Sequence, residues 1–399
     1  MTGEATVLRI TDVRVVSKGL RSGSVLVEVR TDEGITGVGS TSASVSVISA
    51  LIEDDVEGLR SLLMGTDPTD VNMAWRRMFA SGNRGRAGEG GVGVNAMGAV
   101  DMALWDIAGK AAGLPIYKLR GGAVQDRIMV YASGTAFERS HMESAGEWRH
   151  KPTEVLVEEA LENKAQGFKA MKFGWGNYFR ESDYDDIEAV RDAVGPDMKL
   201  MLDFGSPAYL DGHWTVKEAI HVAERLEEYD IYFFEEALHP YDVDGFATLT
   251  EQSPIRIATG ESLTTVRDFQ AFIERRALDI VQPDAQQMGL TQFARVAERA
   301  EEAGILCIPH GPWSAFLVAA HLQVLCTLTN CPMIEYPAPN VERGSGREGL
   351  VEGMHEKVIE TPMVVNDGYL ELPEGPGLGL GSFVYEAIDE LIARFGGDT

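Results

Sequence analysis

Carboxylate side chains and one histidine stand at the ends of successive short apolar runs in the second half of the chain. They are Asp203 in LMLD, Glu235 in YFFEE, Glu261 in ATGE, Asp284 in VQPD, His310 in CIPH and Glu335 in MIEY. Carboxylates that converge repel one another unless a cation lies between them, and hard divalent ions such as Mg²⁺ prefer oxygen ligands. A carboxylate beside a histidine can orient the imidazole for proton transfer. The pattern therefore indicates metal-assisted acid–base chemistry, provided that the chain brings these run ends together.

The apolar runs are predicted to be strands, because each is short and is followed by an amphipathic helical segment. Eight strands with intervening helices favour a closed β/α barrel over an open doubly wound sheet. In such a barrel the C-terminal strand ends form one face, so the polar residues would share one mouth. The predicted strands are Arg127–Ala132, Lys169–Phe173, Lys199–Asp203, Ile231–Glu235, Arg256–Glu261, Asp279–Asp284, Ile305–His310 and Met333–Tyr336.

Asp203, Glu235 and Glu261 close three consecutive predicted strands, which places them side by side on the barrel rim. We therefore predict that they bind one Mg²⁺ ion. Taken singly, each acid could instead cap a loop or pair with an arginine. Glu235 and Glu236 are adjacent and point to opposite sides by strand alternation, so only one of them can be the inward ligand.

Asp284 and His310 close the next two predicted strands, and they are predicted to form an acid–base dyad. In the alternative interpretation, His310 bonds a carbonyl of its own Pro-His-Gly-Pro turn and Asp284 caps the helix that follows. Lys172, which ends the second predicted strand, would supply a cationic partner for a substrate carboxylate. Lys169 is better suited to solvent.

Composition narrows the classes of partner. The chain of 399 residues has 62 acidic and 35 basic residues, and the resulting net charge of −27 disfavours nucleic-acid binding. We expect a cytoplasmic protein without membrane contact, because no stretch has the length and apolarity of a transmembrane helix or a leader. The three cysteines are expected to be reduced and buried. Residues 1–125 read as a separate α+β unit.

Six motifs along the predicted strands together resemble the enolase superfamily, and within it the mandelate racemase subgroup of acid-sugar dehydratases. They are LMLDFGS, FFEEAL, ATGES, VQPDAQQMG, IPHGPWS and IEY. The segments AVDMALWDIAGKAAGLPIYKLRGG and DGYLELPEGPGLG extend the resemblance over essentially the whole chain. This set of motifs is specific for the superfamily but not for a substrate.

The resemblance implies a (β/α)₇β barrel over residues 126–350. An α+β capping domain would be formed by residues 1–125 together with the C-terminal segment 351–399. Loops near Lys18–Ser24 and Arg84–Glu89 would close over the barrel mouth. The resemblance also suggests a symmetric homo-oligomer, often of eight copies.

The resemblance also implies roles for the residues at the mouth. Glu235 rather than Glu236 would join Asp203 and Glu261 in binding Mg²⁺. His310, oriented by Asp284, would remove the proton α to a substrate carboxylate. The remaining implied substrate contacts are Glu335, which would hydrogen-bond the carboxylate as its charge grows, Lys172, and Trp313 of the IPHGPWS motif.

One departure from the subgroup pattern bears on the reaction. Members that racemise often carry K-x-K on the second barrel strand, and here the position of the second lysine is Gly174. Glycine cannot transfer a proton, whereas syn elimination of water can be run by one histidine. The sequence therefore favours dehydration of an aldonate or aldarate to a 2-keto-3-deoxy acid. A lesser departure is Ala237, where proline commonly follows the acidic pair.

Two alternatives remain open at the level of sequence. The first is an epimerase, racemase or cycloisomerase that uses Lys172 as a second base beside His310. The second is a catalytically silent metal-binding barrel with a structural or regulatory role.

Overall fold

The computed structural model describes residues 8–20, 24–80, 90–138, 149–175, 179–204, 214–345 and 347–396. The chain begins with an antiparallel sheet in the order β1 (Ile10–Val15), β2 (Val25–Thr31) and β3 (Thr36–Thr41). The helices described after this sheet are α1 (Val45–Glu53), α2 (Leu59–Leu63), α3 (Val71–Phe79), α4 (Val92–Ala112) and α5 (Ile116–Leu119).

Helix α4 packs directly on β3 because glycine leaves room for it. A Cβ atom on Gly39 would lie 2.1 Å from the carbonyl oxygen of Ala99, so any larger residue would push the helix away. At its other side α4 meets the second half of the chain through Gly98, where an added Cβ would lie 2.6 Å from the backbone nitrogen of Gly289. The first unit is therefore held close to the barrel by backbone-to-backbone contact.

Eight parallel strands make up the second unit. They are β4 (Arg127–Thr135), β5 (Ala170–Gly174), β6 (Lys199–Asp203), β7 (Ile231–Glu235), β8 (Arg256–Thr259), β9 (Ile280–Val281), β10 (Leu306–Cys307) and β11 (Met333–Pro337). Strands β4 to β10 pair in sequence order, and β11 pairs with β4. Between β10 and β11, the Cys307 N–H donates to the carbonyl of Asn330 at 3.0 Å.

One apolar cluster shows that these strands surround a common interior. Its residues are all 0% exposed. Each of the eight strands supplies one of them, either within the strand or, for β10, directly after it. Such a layer of inward side chains is the packed centre of a β/α barrel. The residues are Tyr131, Ala170, Met201, Phe233, Ala258, Ile280, Ile308 and Met333.

In the described ranges, seven helices lie between the eight strands, as the predicted (β/α)₇β architecture requires. They are α6 (Thr153–Ala165), α7 (Glu181–Val194), α8 (Val216–Glu227), α9 (Val243–Gln252), α10 (Val266–Arg275), α11 (Ala285–Glu302) and α12 (Ala315–Leu325). The fold class read from the sequence is confirmed.

Three strands are shorter than predicted, and Lys172 is not at a strand end. Strand β8 stops at Thr259 because Gly260 has a φ of +131°, and β9 and β10 stop ahead of Pro283 and Pro309, which lack the N–H that a ladder needs. Asp284 and His310 therefore lie in loops just beyond the ladder. Lys172 lies in the middle of β5.

The C-terminal segment divides its contacts between the two units. After α13 (Leu350–Glu352), the hairpin β12 (Val365–Asn366) and β13 (Tyr369–Glu371) joins the barrel sheet, since β13 pairs antiparallel with β4. Helix α14 (Tyr385–Phe395) instead reaches the first sheet, where the Tyr385 hydroxyl bonds Glu28 of β2. The boundaries at residues 125 and 350 stay predictions.

Two expectations about the whole chain can be compared with the described residues. Cys307, Cys326 and Cys331 are buried and free, as expected. In the described part of the chain, each helix is too short or too polar to serve as a membrane span. Residues 21–23 and 84–89 lie outside the described residues, so closure of the two predicted loops stays a prediction.

Candidate active site

The polar residues of the mouth lie one layer above the apolar interior. Side chains on a strand alternate, so the residue two positions beyond each interior residue also faces inward. The residue two positions beyond each interior residue is polar on every strand except β8, where it is glycine. The members of the polar layer are Ser133, Lys172, Asp203, Glu235, Gln282, His310 and Glu335.

Glu261 enters the site by a different route. If side chains alternated from Ala258 onward, residue 260 would face inward. Gly260, however, has a φ of +131°, a backbone conformation that residues with a Cβ rarely adopt. A Cβ there would lie 2.6 Å from Cε1 of Phe269. The backbone at Gly260 thus moves the inward-facing position from residue 260 to residue 261, and Glu261 faces the mouth.

Asp203, Glu235 and Glu261 each offer one carboxylate oxygen within 4.8 Å of the others. Burial and the Asp203 carboxylate raise the pKa of Glu235, and burial raises the pKa of Glu261 although His310 is near. The buried Oε1 atom of Glu235 also has no hydrogen-bond partner among the described residues. A cluster of three carboxylates that offers only oxygen ligands fits a hard divalent cation.

Glu236 is oriented away from this cluster. Its φ is +53°, and its Oε1 atom accepts hydrogen bonds from Thr259 Oγ1 at 2.6 Å and from the Gly260 N–H at 3.2 Å. Burial raises the pKa of Glu236 to about 8. Of the adjacent pair, Glu235 is therefore the one beside Asp203 and Glu261.

Lys172 lies at the floor of the site, only 2% exposed, among three carboxylates. Its Nζ atom is 2.8 Å from Glu235 Oε2, 3.2 Å from Glu335 Oε1 and 3.3 Å from Asp203 Oδ2. Burial opposes its charge, but Glu235 and Glu335 outweigh burial and hold the pKa of Lys172 well above its usual range. Lys172 was predicted to contact a substrate carboxylate, and in the structure it contacts the carboxylates of the acidic cluster.

Glu335 is held ionised by three contacts and by the nearby charge of His310. Besides Lys172, its Oε1 accepts from Ser133 Oγ at 2.6 Å and its Oε2 accepts from the Gly311 N–H at 2.7 Å. Burial alone would favour the neutral acid, but Lys172, His310 and these donors lower the pKa of Glu335 to about 2. It would therefore have to take up a proton before it could donate a hydrogen bond to a substrate.

The dyad has the predicted contact. His310 Nδ1 lies 3.0 Å from Asp284 Oδ2, and its Nε2 lies 3.5 Å from Glu261 Oε2. Burial disfavours imidazolium, but Glu261 and the bond to Asp284 raise the pKa of His310 well above its usual range. Asp284 also caps α11, because its Oδ1 accepts from the Gln286 N–H at 2.6 Å. Asp284 therefore contacts His310 and caps α11 at the same time, and the acid–base role of the pair stays a prediction.

Accessibility separates the rim of the site from its floor. The side chains of His310, Glu261 and Asp203 are 21%, 20% and 14% exposed, whereas Glu235 is fully buried. A ligand entering the mouth would therefore meet His310 and the acidic cluster together. Such a site can hold a cation and move a proton at Nε2 of His310.

Other residues at the mouth were not anticipated or remain untested. Ser133 and the Gly311 N–H were missed because the sequence gives no sign that they bond Glu335. The amide of Gln282 is fully buried, and in the part of the chain that the structure describes neither of its polar atoms has a hydrogen-bond partner. Trp313 lies half-buried beyond His310, and its substrate contact stays a prediction.

Family comparisons agree with this geometry. Residues 155–382 match the family described as enolase C-terminal domain-like. Residues 13–121 match the N-terminal domain of mandelate racemase and muconate lactonizing enzyme. The chain therefore belongs to the mandelate racemase group of the enolase superfamily, and the family supports an enzyme.

Relatives with assigned activities cover nearly the whole chain. A D-galactarolactone cycloisomerase from Agrobacterium fabrum is 30% identical over 361 residues, which are 90% of this chain and 89% of the relative. An arabinonate dehydratase from Saccharolobus solfataricus is 29% identical over 89% of this chain and 87% of its own. The crystal structure of a 3,6-anhydro-D-galactonate cycloisomerase from Zobellia galactanivorans has a TM-score of 0.80 and 29% identity, covering 98% of this chain and 100% of that one. Acid-sugar dehydratases and cycloisomerases thus share this fold.

Proposed function

We propose that the protein is a Mg²⁺-dependent dehydratase of an acid sugar, an aldonate or an aldarate. The observation that carries the proposal is the His310–Asp284 dyad beside the acidic cluster, on a barrel whose β5 has Gly174 two residues beyond Lys172. One accessible imidazole suffices for syn elimination, whereas racemisation needs a proton-transfer group on each face of the substrate. Lys172 is a poor second base because its ammonium is bonded to three carboxylates.

The side chains divide the chemistry. Glu261 raises the pKa of His310, and a cation held by Glu261 would offset that effect. In the neutral imidazole, Asp284 accepts Nδ1–H and Nε2 takes the α-proton, while the C–H electron pair forms an enediolate. The resulting imidazolium then gives that proton to the β-hydroxyl group, so that the C–O bond breaks and water leaves. The enol that remains tautomerises to the 2-keto-3-deoxy acid. The net change is loss of one water molecule.

The acidic residues and Lys172 would place positive charge beside the substrate carboxylate. Asp203, Glu235 and Glu261 would hold Mg²⁺, which as a Lewis acid contributes several kcal/mol by stabilising negative charge on the substrate carboxylate. Lys172 is positioned to add a second positive charge at the floor of the site. Glu335, and Trp313 at the rim, are the other proposed substrate contacts.

A cycloisomerase is the second candidate. It is supported by relatives of that activity, including a 3,6-anhydro-α-L-galactonate cycloisomerase from Streptomyces coelicolor that is 30% identical over 89% of this chain. In that case Lys172 would have to leave its carboxylate partners to act as a base.

Proton NMR in D₂O with a panel of acid sugars and added Mg²⁺ distinguishes the candidates. A dehydratase gives a keto product with loss of water, and His310→Asn should remove turnover while Mg²⁺ affinity stays nearly intact. A product of unchanged composition with deuterium at the α-carbon would favour an isomerase. Mg²⁺ binding with thermal stabilisation but no turnover across the panel would favour the silent barrel.

We also propose a symmetric homo-oligomer with eight copies as the expected form, on the strength of the resemblance noted above. Sedimentation equilibrium measures this directly. A monomer at micromolar concentration would contradict it.

A further inference from the structure

A buried amide joins the loops of the dyad to the first sheet. The Nε2 atom of Gln286 lies 2.8 Å from Ser24 Oγ, 2.9 Å from Ser40 Oγ and 3.3 Å from Ser314 Oγ. Gln286, Ser40 and Ser314 are fully buried, and Ser24 is 2% exposed. The amide has two N–H hydrogens for the three hydroxyl oxygens, so at least one hydrogen is shared between two of them. Water does not compete for these hydrogen bonds, so together they constrain their partners more than surface contacts would.

Gln286 is connected to both members of the dyad. Its own N–H donates to Asp284 Oδ1 at 2.6 Å, and the other oxygen of Asp284 bonds His310. Its side chain reaches Ser314, whose hydroxyl accepts the Leu317 N–H at the start of α12. Helix α12 is the helix that follows the His310 loop. One residue therefore ties the loop of Asp284 to the loop of His310.

The same residue holds the first sheet against these loops. Ser40 belongs to β3, and Ser24 stands immediately before β2. The Thr41 hydroxyl donates to the Gln286 carbonyl at 2.7 Å, so that both the side chain and the main chain of Gln286 bond the sheet. A shift of the sheet would thus be transmitted to both loops.

We propose that Gln286 is a positioning residue for proton transfer, and that its amide sets the alignment of His310 with Asp284. This inference rests on the proposed function, because that function gives the dyad its proton-transfer role. Loss of the amide frees the two loops to move relative to each other. Misplacement by about 1 Å can cost about 100-fold in rate, while substrate and metal still bind.

Gln287 provides a matched control in the same interface. Its Nε2 atom donates to Ser42 Oγ at 2.8 Å, and its Oε1 accepts from Asn95 Nδ2 at 2.8 Å. It therefore ties α11 to the first unit without contacting Ser314. Substitution of either glutamine by leucine removes cross-unit hydrogen bonds, but only the change at Gln286 uncouples the His310 loop.

The kinetic test compares Gln286→Leu with Gln287→Leu. For Gln286→Leu we expect kcat on the acid-sugar substrate to fall by about 10- to 100-fold, with KM and the Mg²⁺ Kd within about twofold of wild type. Gln287→Leu should keep its kcat. Gln286→Asn, which retains the amide but shortens its reach, should show the same selective loss and serves if the leucine variant does not fold.

Amide hydrogen exchange gives a reading that needs no turnover. Exchange over residues 310–318 should be faster in Gln286→Leu than in wild type and unchanged in Gln287→Leu. Equal kcat losses in the two leucine variants, or equal exchange over 310–318, would overturn the proposal. Wild-type protein that turns over no acid sugar would contradict the proposed function instead, and exchange would still decide whether Gln286 holds the loops.

Discussion

The Nζ atom of Lys172 lies 2.8 Å from Oε2 of Glu235, at the floor of the barrel mouth, where both side chains are shielded from water. The same carboxylate belongs to the cluster that fits a divalent cation. A buried ion pair of this kind has a large desolvation cost, and removal of one partner leaves the other charge uncompensated. Lys172 therefore partly neutralises the acidic cluster while no cation is bound.

Lys172→Met should destabilise the metal-free protein strongly. The change leaves buried carboxylates without their ammonium partner, and we expect the free energy of unfolding at neutral pH to fall by about 3–5 kcal/mol. Added Mg²⁺ should restore part of the loss. Urea titrations with and without Mg²⁺ measure both effects.

Lys169→Met is the control, because Lys169 is in the same segment but 43% exposed and paired with the exposed Asp367. Water screens that pair, so only a small change is expected. If the two methionine variants are equally stable without metal, the neutralising role of Lys172 is wrong.

Metal affinity should distinguish the adjacent acids Glu235 and Glu236. Replacing a residue that only orients a metal ligand typically costs 10- to 100-fold in affinity, so removal of a ligand in Glu235→Gln should cost more than about 100-fold. Glu236→Gln should leave the Mg²⁺ Kd nearly unchanged, because Glu236 bonds Thr259 and Gly260 instead. Isothermal titration calorimetry measures both, and a reversed order of affinities would exclude Glu235 as the ligand.

The sequence was sufficient for the barrel and for most members of the mouth. Parallel strands in a barrel place their C-terminal ends on one face, so Asp203, Asp284 and His310 could be placed at the barrel mouth from strand order alone. Local patterns also fixed that only one of Glu235 and Glu236 could face inward.

The remaining features depend on how distant strands meet. Ser133 bonds Glu335 because β11 pairs with β4, and this closing contact has no local signature. The entry of Glu261 depends on the φ of Gly260, which breaks the alternation of side chains along the strand. Lys172 was expected at a strand end but lies in the middle of β5, since β5 continues to Gly174.

The stability of the contact between the two units should depend on pH through Asp101. Asp101 of α4 is fully buried and accepts from the Thr291 N–H at 2.8 Å and from Thr291 Oγ1 at 2.6 Å. Burial raises the pKa of Asp101 from 3.8 to about 7. Between these values the folded state holds a proton that the unfolded state has lost, so the contribution of Asp101 to stability declines as pH rises from about 4 to about 7.

Asp101→Asn should remove this dependence. Relative to wild type, the variant should gain up to about 4 kcal/mol in unfolding free energy between about pH 4 and pH 7, after which the difference stays constant. Chemical denaturation at several pH values measures it. A difference between Asp101→Asn and wild type that does not vary with pH would refute the assignment.

Gly260→Ala should weaken Mg²⁺ binding although it removes no ligand. The added Cβ would lie 2.6 Å from Cε1 of Phe269, and alanine resists a φ of +131°. The backbone must rotate, and Glu261 then turns away from Asp203 and Glu235, so we expect the Kd for Mg²⁺ to rise by about tenfold or more.

Gly304→Ala separates backbone strain from ligand placement. Gly304 also has a positive φ, +71°, but an added Cβ there would have no heavy atom within 4 Å. Both substitutions should lower the melting temperature, because both force alanine into a left-handed region that costs about 1–2 kcal/mol. Only Gly260→Ala should change the Mg²⁺ titration. If Gly260→Ala binds Mg²⁺ as tightly as Gly304→Ala, the direction in which Glu261 points does not depend on Gly260. The backbone conformation at the end of β8 is then not what brings Glu261 into the acidic cluster.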